Sequence, residues 1–270
     1  MALPVLSVPG SGQRPAPPQS GRRLHRTHLE VRSRRLPRRS GRADRNRERL
    51  PPSRHERSEP PMTAAPKTDP FVRDLLGRGD YAIFSEIVAP QTCVLALGCG
   101  DGELLSWLAE NKDVDARGVE MDAAKVQKAI AKGVSCYQGN LEECLADYPD
   151  GAFDYVILSQ TLQEVRRPLQ VMNEMLRVGR RAIVAFPNFG HWRVRLAHLF
   201  TGRAPKTTRF PHEWYDSPNI HFFTVDDFEI LAARENWNIE KRVFLDDNRE
   251  VKMLPNLLAE TAVYLVRLKS

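Results

Sequence analysis

TCVLALGCGDG, residues 92–102, opens as a short unbroken apolar run and closes on three glycines at alternate positions. The run Thr92–Leu97 predicts a strand buried on both faces. Gly98-Cys99-Gly100-Asp101-Gly102 follows as a loop, and Glu103–Asn111 resumes helical spacing. Strand, glycine loop and helix in this order set the loop at the carboxyl end of a parallel strand. Open α/β sheets bind their ligands there. Position 103 is Glu, so the third glycine of a dinucleotide fingerprint is missing. No Gly-Lys-Ser/Thr follows either, which excludes a phosphate-cradling P-loop.

On both sides of the loop the chain alternates. Phe71–Val88 predicts a helix stopped by Pro90. Downstream, the expected strands are Ala116–Glu120, Val134–Gln138, Phe153–Leu158 and Arg181–Phe186. Between them stand helices over Ala123–Lys132, Leu141–Tyr148 and Pro168–Val178. A helix around Val225–Glu235 and strands Ile239–Leu245 and Ala262–Leu268 complete the pattern. Alternation of this length predicts an α/β fold, a parallel sheet with helices on both faces.

Three further strand ends carry chemistry. Glu120 ends the second strand in RGVEMD, 22 residues after Gly98, placed to accept from both hydroxyls of a ribose. Asn140, in Gly139-Asn140-Leu141, ends the third strand, where an amide reaches the exocyclic amine of an adenine. Phe153–Gln160 ends at the edge of the same cleft. Any one of these groups alone is more often a solvated strand end. Their order describes a nucleoside site without a pyrophosphate grip.

The chain has 270 residues, enough for one or two domains. No stretch approaches the roughly 18 apolar residues of a membrane helix, and no basic region precedes the opening apolar run, so no secretory signal is expected. Cys93, Cys99, Cys136 and Cys144 form no C-x-x-C pair, which points to reduced thiols and a cytoplasmic location. Charge is uneven. Residues 1–61 hold fifteen Arg, no Lys and five acids, a net +10, and half of the 20 prolines, whereas residues 62–270 sum to −4. Such a tail cannot bury enough surface to offset its chain entropy and is expected to be disordered. It reads as an arm for nucleic acid or an acidic partner, as a transit peptide, or as sequence upstream of a start at Met62. The last is the expectation, because Arg without Lys, together with Pro, is what GC-rich DNA yields in an arbitrary frame. For the folded body, neither nucleic acid nor membrane is an expected partner.

The run VLALGCGDGELL, GVEMD, GNLEE, FDYVILSQTLQEV resembles the class I S-adenosylmethionine-dependent methyltransferases. More narrowly, SQTLQ, EMLRVGRRAIVAFPNFGHWRVRL and FPHEWYDSPNIHFFTVDDFE resemble the methionine biosynthesis protein MetW family, over about Asp69–Leu268. The resemblance implies a Rossmann-like fold with a seven-stranded, mostly parallel sheet whose last strand is antiparallel. It implies S-adenosylmethionine as cofactor and homoserine O-acyltransferase as partner. The cofactor-binding set it implies is Gly98, Cys99, Gly100, Gly102, Glu120, Met121, Asn140, Leu141, Ser159 and Gln160. Two positions depart from the family. Ala96 replaces an Asp that organises the methionine end of the cofactor, an acceptor of a class worth about 1.5–3 kcal/mol. Asn140 stands where Asp is common and keeps an acceptor without the charge.

Residues 187–222 form a long connection expected to cover the cleft. Methyl transfer needs chiefly alignment, because the sulfonium is already activated. A reluctant nucleophile would also need a base, for which His191, His221 and Tyr215 are the candidates; packing roles compete for all three. Trp192, Trp214 and Tyr215 could wall the sulfonium or pack a lid. Arg193, Arg195, Arg203, Lys206 and Arg209 suit an acidic partner, an anionic substrate or a solvated face. No metal pattern is present, and none is expected. Three functions follow: a cofactor-binding regulator of the acyltransferase, an active small-molecule methyltransferase, and a non-binding pseudoenzyme acting through its surface. Ala96 weighs against the second; Glu120 and the glycines weigh against the third.

Overall fold

The computed structural model describes residues 78–207 and 209–269. The expected tail, 1–61, and the start of the helix expected from Phe71 lie outside them. One sheet of eight strands organises the described residues: β1 Cys93–Leu97, β2 Asp115–Glu120, β3 Ser135–Gln138, β4 Phe153–Ser159, β5 Gly179–Pro187, β6 Trp237–Asp246, β7 Arg249–Glu250 and β8 Thr261–Leu268. Their order is β3-β2-β1-β4-β5-β8-β6-β7. The first five pair in parallel, and β8 runs antiparallel to both β5 and β6. This is the expected α/β sheet with one strand more than seven. The addition is β7, two residues joined to β6 by a two-residue turn. Asp247 and Asn248 in that turn both have positive φ, 44° and 65°, the backbone of a type I′ hairpin.

Helices cover both faces. They are α1 Gly79–Ile87, α2 Glu103–Lys112, α3 Ala123–Ala131, α4 Leu141–Cys144, α5 Pro168–Val178, α6 Trp192–Thr201, α7 Val225–Arg234 and α8 Pro255–Leu258. Because side chains alternate along a strand, β1 sends Leu95 and Leu97 into one core and Val94 and Ala96 into the other. The first core joins Met172 and Met175 of α5 to Phe228 of α7 and Tyr264 of β8. The second joins Ile83 and Phe84 of α1 to Leu104, Leu105 and Leu108 of α2.

One helix differs from expectation. Leu141–Tyr148 is a single α-turn, α4, continued by a 3₁₀ turn over Leu145–Asp147. Tyr148 is extended because it precedes Pro149, which disfavours the helical region.

Two contacts seat α1 across the face of the sheet, the first at its carboxyl edge. The Asn248 side chain of the β6–β7 turn accepts from the Gly79 N–H at 2.9 Å. A side chain at Gly79 would collide with Asn248. At the other end, Lys112 donates to the Val88 carbonyl at 2.7 Å and to the Ser85 carbonyl, holding the last turn.

Candidate functional site

A cleft of about 430 Å³ opens at the carboxyl ends of β1, β2 and β4. Gly98, Gly100, Glu120, Met121, Asn140, Leu141, Ser159 and Gln160 line it. These are eight of the ten residues expected to bind a cofactor. Arg78, Tyr81, Lys125, Thr161 and Glu164 also line it and were not foreseen.

The glycine loop is built for close approach. Gly98 N–H and Cys99 N–H both bond the Val119 carbonyl, at 2.8 and 3.1 Å, tying the loop to β2. Gly100 has φ 59°, and a side chain added there would meet nothing within 4 Å. Left-handed backbone facing open space leaves a cradle that a Cβ would fill and a ligand can use. Gly102, by contrast, does not line the cleft. It starts α2, and its place is explained by Ala129 of α3, which leaves no room for a side chain.

Cys99 also turns away from the cleft. Its thiol fills the space left by Gly118 and lies 3.5 Å from the Cys136 sulfur. Burial, followed by Cys136, pushes that thiol far above its usual range. Buried and outside the cleft lining, it is not placed to act there as a nucleophile.

Glu120 locks loop and strand together. One carboxylate oxygen accepts from Gly100 N–H at 2.9 Å; the other accepts from Met121 and Asp122 N–H, each at 3.0 Å. A carboxylate offers about four lone-pair sites, so one acceptor site is left on a residue that lines the cleft. Asn140 is more heavily committed. Its side-chain oxygen caps α4 by accepting from Glu142 N–H at 3.0 Å, and its amide donates to Glu143 at 3.3 Å.

The other end of the cleft is charged. Arg78 forks onto Asp80, Nη2 to Oδ2 at 2.5 Å and Nε to Oδ1 at 3.1 Å. Ser159 Oγ donates to Asp80 Oδ2 at 2.6 Å and accepts from Arg78 at 2.8 Å. The guanidinium also lies over the Tyr81 ring, 4.2 Å from its centre. Asp80 is only 5% exposed. It precedes Ile83 and Phe84 by three and four positions on α1, so it shares their face over the sheet. Ala96 packs in that same core. Asp80 is thus buried on the face of α1 that packs over the sheet, bonded to the last residue of β4 and behind the lining of the cleft. A cation braced by a buried carboxylate, in one cleft with an acceptor for a ribose hydroxyl, suits a nucleoside that carries an amino-acid group.

The residues expected to move protons do not line the cleft. His191 lies at the start of α6, 2% exposed, with Nε2 unbonded and 3.7 Å from Asp246. Tyr215 is 73% exposed and meets Trp214 edge to face at 5.6 Å. His221 comes nearer: Ile220 and His221 N–H both bond the Gln163 carbonyl, at 2.8 and 3.0 Å, beside the cleft residues Gln160 and Glu164. Segment 187–222 therefore meets the cleft rim through its last residues. Trp214 and Tyr215 point into solvent, so the aromatic wall is not formed at the cleft.

His191, Asp246 and Glu260 bring ligand-type atoms within 4.8 Å of one another, a grouping the sequence did not signal. Glu260 is already held by Arg193 at 3.2 Å and Arg209 at 3.7 Å. Two guanidinium charges oppose a cation there, and the group is an ion-pair cluster.

The family model described as "Methionine biosynthesis protein MetW" matches residues 78–266. A bifunctional methionine biosynthesis protein MetXA/MetW from Rhodopirellula baltica is 35% identical over 211 residues, covering 73% of this chain and 34% of that protein. The chain spans about a third of the length of the curated relatives it matches. Among solved structures, an S-adenosylmethionine-dependent methyltransferase from Archaeoglobus fulgidus superposes with a TM-score of 0.53 at 12% identity, covering 73% of this chain and 97% of that one. A methyltransferase in complex with the Haloferax volcanii Trm112 activator gives 0.53 at 13% identity, covering 75% and 95%. At such identities the likeness is one of fold, the class I methyltransferase fold.

Proposed function

The chain belongs to the methionine biosynthesis protein MetW family, and from that premise we propose that it binds S-adenosylmethionine and regulates a cytoplasmic homoserine O-acyltransferase. One observation carries the binding half. Arg78, braced from behind by the buried Asp80, lines the same cleft as Glu120 and the open backbone of Gly100. Glu120 would accept from a ribose hydroxyl, and Arg78, braced by Asp80, would meet the carboxylate of the methionine part. The cofactor brings an activated methyl sulfonium. The partner half is supported by the fused relative, whose MetXA part we read as the acyltransferase. A domain that senses the end product beside an early enzyme of the same route accounts for a well-formed pocket without a proton-transfer set.

Isothermal titration of the full chain with S-adenosylmethionine and S-adenosylhomocysteine tests the binding. Glu120→Ala should weaken it by about 10- to 100-fold, the loss of a charge-assisted acceptor. Unchanged affinity in that variant would remove Glu120 from the site. One observation favours a second reading, methyl transfer to a small molecule. Glu164 lines the cleft, and burial pushes its carboxyl above the usual range, against His212 and Lys125. A perturbed carboxyl in a cleft is a base candidate. Formation of S-adenosylhomocysteine with an added acceptor, lost in Glu164→Gln, would support it.

A further inference from the structure

Helix α6 is built inside out. Of its ten residues only Val194 is buried. Trp192, Leu196, Leu199 and Phe200 follow the i, i+4, i+7, i+8 spacing that sets side chains on one face of a helix. In an isolated domain such a stripe turns inward. Here Leu199 is 74% and Phe200 78% exposed, and Trp192 and Leu196 are partly so.

The helix is nonetheless firmly held. Arg195 donates to the Gly190 carbonyl at 2.6 Å, and Arg193 pairs with Glu260. The apolar face is therefore ordered before anything covers it, which lowers the cost of association.

Charge narrows the choice of occupant. Residues 187–212 hold five Lys and Arg and no Asp or Glu, within a body of net −4. Arg193 and Arg209 meet Glu260, and Lys206 meets Glu213. Arg195 and Arg203 form no ion pair with a carboxylate among the described residues, and Arg203 follows the end of the stripe. A second copy of this face would bring like charges together, so self-association is disfavoured. A lipid surface would call on mobile basic side chains, yet four of these five are already bonded to protein.

We propose that the outward face of α6, with Arg203 at its end, is the surface on which the acyltransferase docks. The partner would offer an apolar groove edged by carboxylates. This rests on the partnership proposed above. The fused relative supplies a reason for such a face: a tether raises the effective concentration of two modules, and that is useful only where their surfaces meet.

The test measures the dissociation constant between the full chain and homoserine O-acyltransferase from the same organism. Leu199→Asp with Phe200→Asp should weaken it at least tenfold, as loss of central apolar anchors does, with cofactor affinity unchanged. Arg203→Glu should slow association and reduce its dependence on salt. Ile230→Asp, an exposed apolar residue of α7, should change nothing. If wild type binds and the double variant binds equally, the face is wrong and the partnership stands. If wild type does not bind, the partnership fails and the proposal with it. Two other results overturn the assignment: capture by vesicles of phosphatidylcholine and phosphatidylglycerol, or dimerisation of the chain alone, when either is abolished in the double variant.

Discussion

At the scale of the residue, the site turns on two carboxylates that sequence pattern treats unequally. Glu120 was legible because it ends a strand at a fixed interval after the glycines, and its three backbone bonds show why an acid is needed there. Asp80 was not, because its partner Ser159 is 79 positions away and the contact depends on where α1 is seated. Asp80→Ala should weaken S-adenosylmethionine binding by about tenfold or more, since it removes a buried acceptor and leaves Arg78 without its anchor. Titration of S-adenosylmethionine beside adenosine checks this: the variant should lose affinity for the first and not for the second. Equal loss for both would mean that the pair only supports the fold. His191, chosen for its chemistry, is placed by the fold in a buried cluster away from the cleft lining. Burial holds its imidazole below the ordinary value, with Glu260 and Asp246 opposing and Arg193 assisting. Above about pH 6.5 both folded and unfolded chains keep it neutral, and it contributes nothing. Below that, the unfolded chain takes up a proton the folded one refuses, so stability falls with acid. Urea unfolding at about pH 7.5 and about pH 5.5 should show a smaller acid loss in His191→Gln than in wild type. Equal losses would clear His191.

At the scale of the element, Asn188 does the joining. Fully buried at the end of β5, it donates to the Asn256 and Ala259 carbonyls at 3.1 and 2.8 Å and accepts from Gly190 and Val225 N–H at 2.9 and 3.3 Å. All four of its hydrogen-bonding capacities are used, fastening α8, the turn before α6 and the start of α7 to the sheet. Asn188→Ala would orphan four backbone groups and should cost about 3–5 kcal/mol, read as a lowered urea midpoint. A loss below about 1 kcal/mol would mean that water replaces the amide. This explains part of the PNFGHW segment as architecture rather than chemistry. The helix Pro168–Val178 was read to the residue, and the seven expected strands to within two residues at each end. Elements defined by their surroundings were not. β7 is too short for any period, although Asp247-Asn248 carries a hairpin signal. The 3₁₀ turn after α4 follows from Pro149 rather than from hydrophobic spacing.

At the scale of the molecule, the cleft is tied by hydrogen bonds to the far end of the segment that carries α6. Gln163 donates to the Gln160 carbonyl at 2.8 Å, and its own carbonyl accepts from Ile220 and His221 N–H at 2.8 and 3.0 Å. The loop that lines the cleft thereby carries the end of the segment that contains α6. If this domain senses the cofactor for the acyltransferase, the two binding events share a coupling free energy, and linkage makes the coupling reciprocal. Saturating S-adenosylmethionine should change the dissociation constant for the acyltransferase by about fivefold or more. Saturating acyltransferase should then change the cofactor's constant by the same factor. Both ratios can be measured on the full chain by titration with and without the other ligand. At the acyltransferase concentration that just saturates wild type, the Leu199→Asp, Phe200→Asp variant should show little of the second ratio, with its affinity for cofactor alone intact. An association constant identical with and without cofactor would end the sensing role while leaving both sites standing. Unequal ratios would show that one titration includes a further equilibrium, such as self-association of the partner. A coupling factor that agrees in both directions, and disappears with the apolar face of α6, is the result that sensing requires.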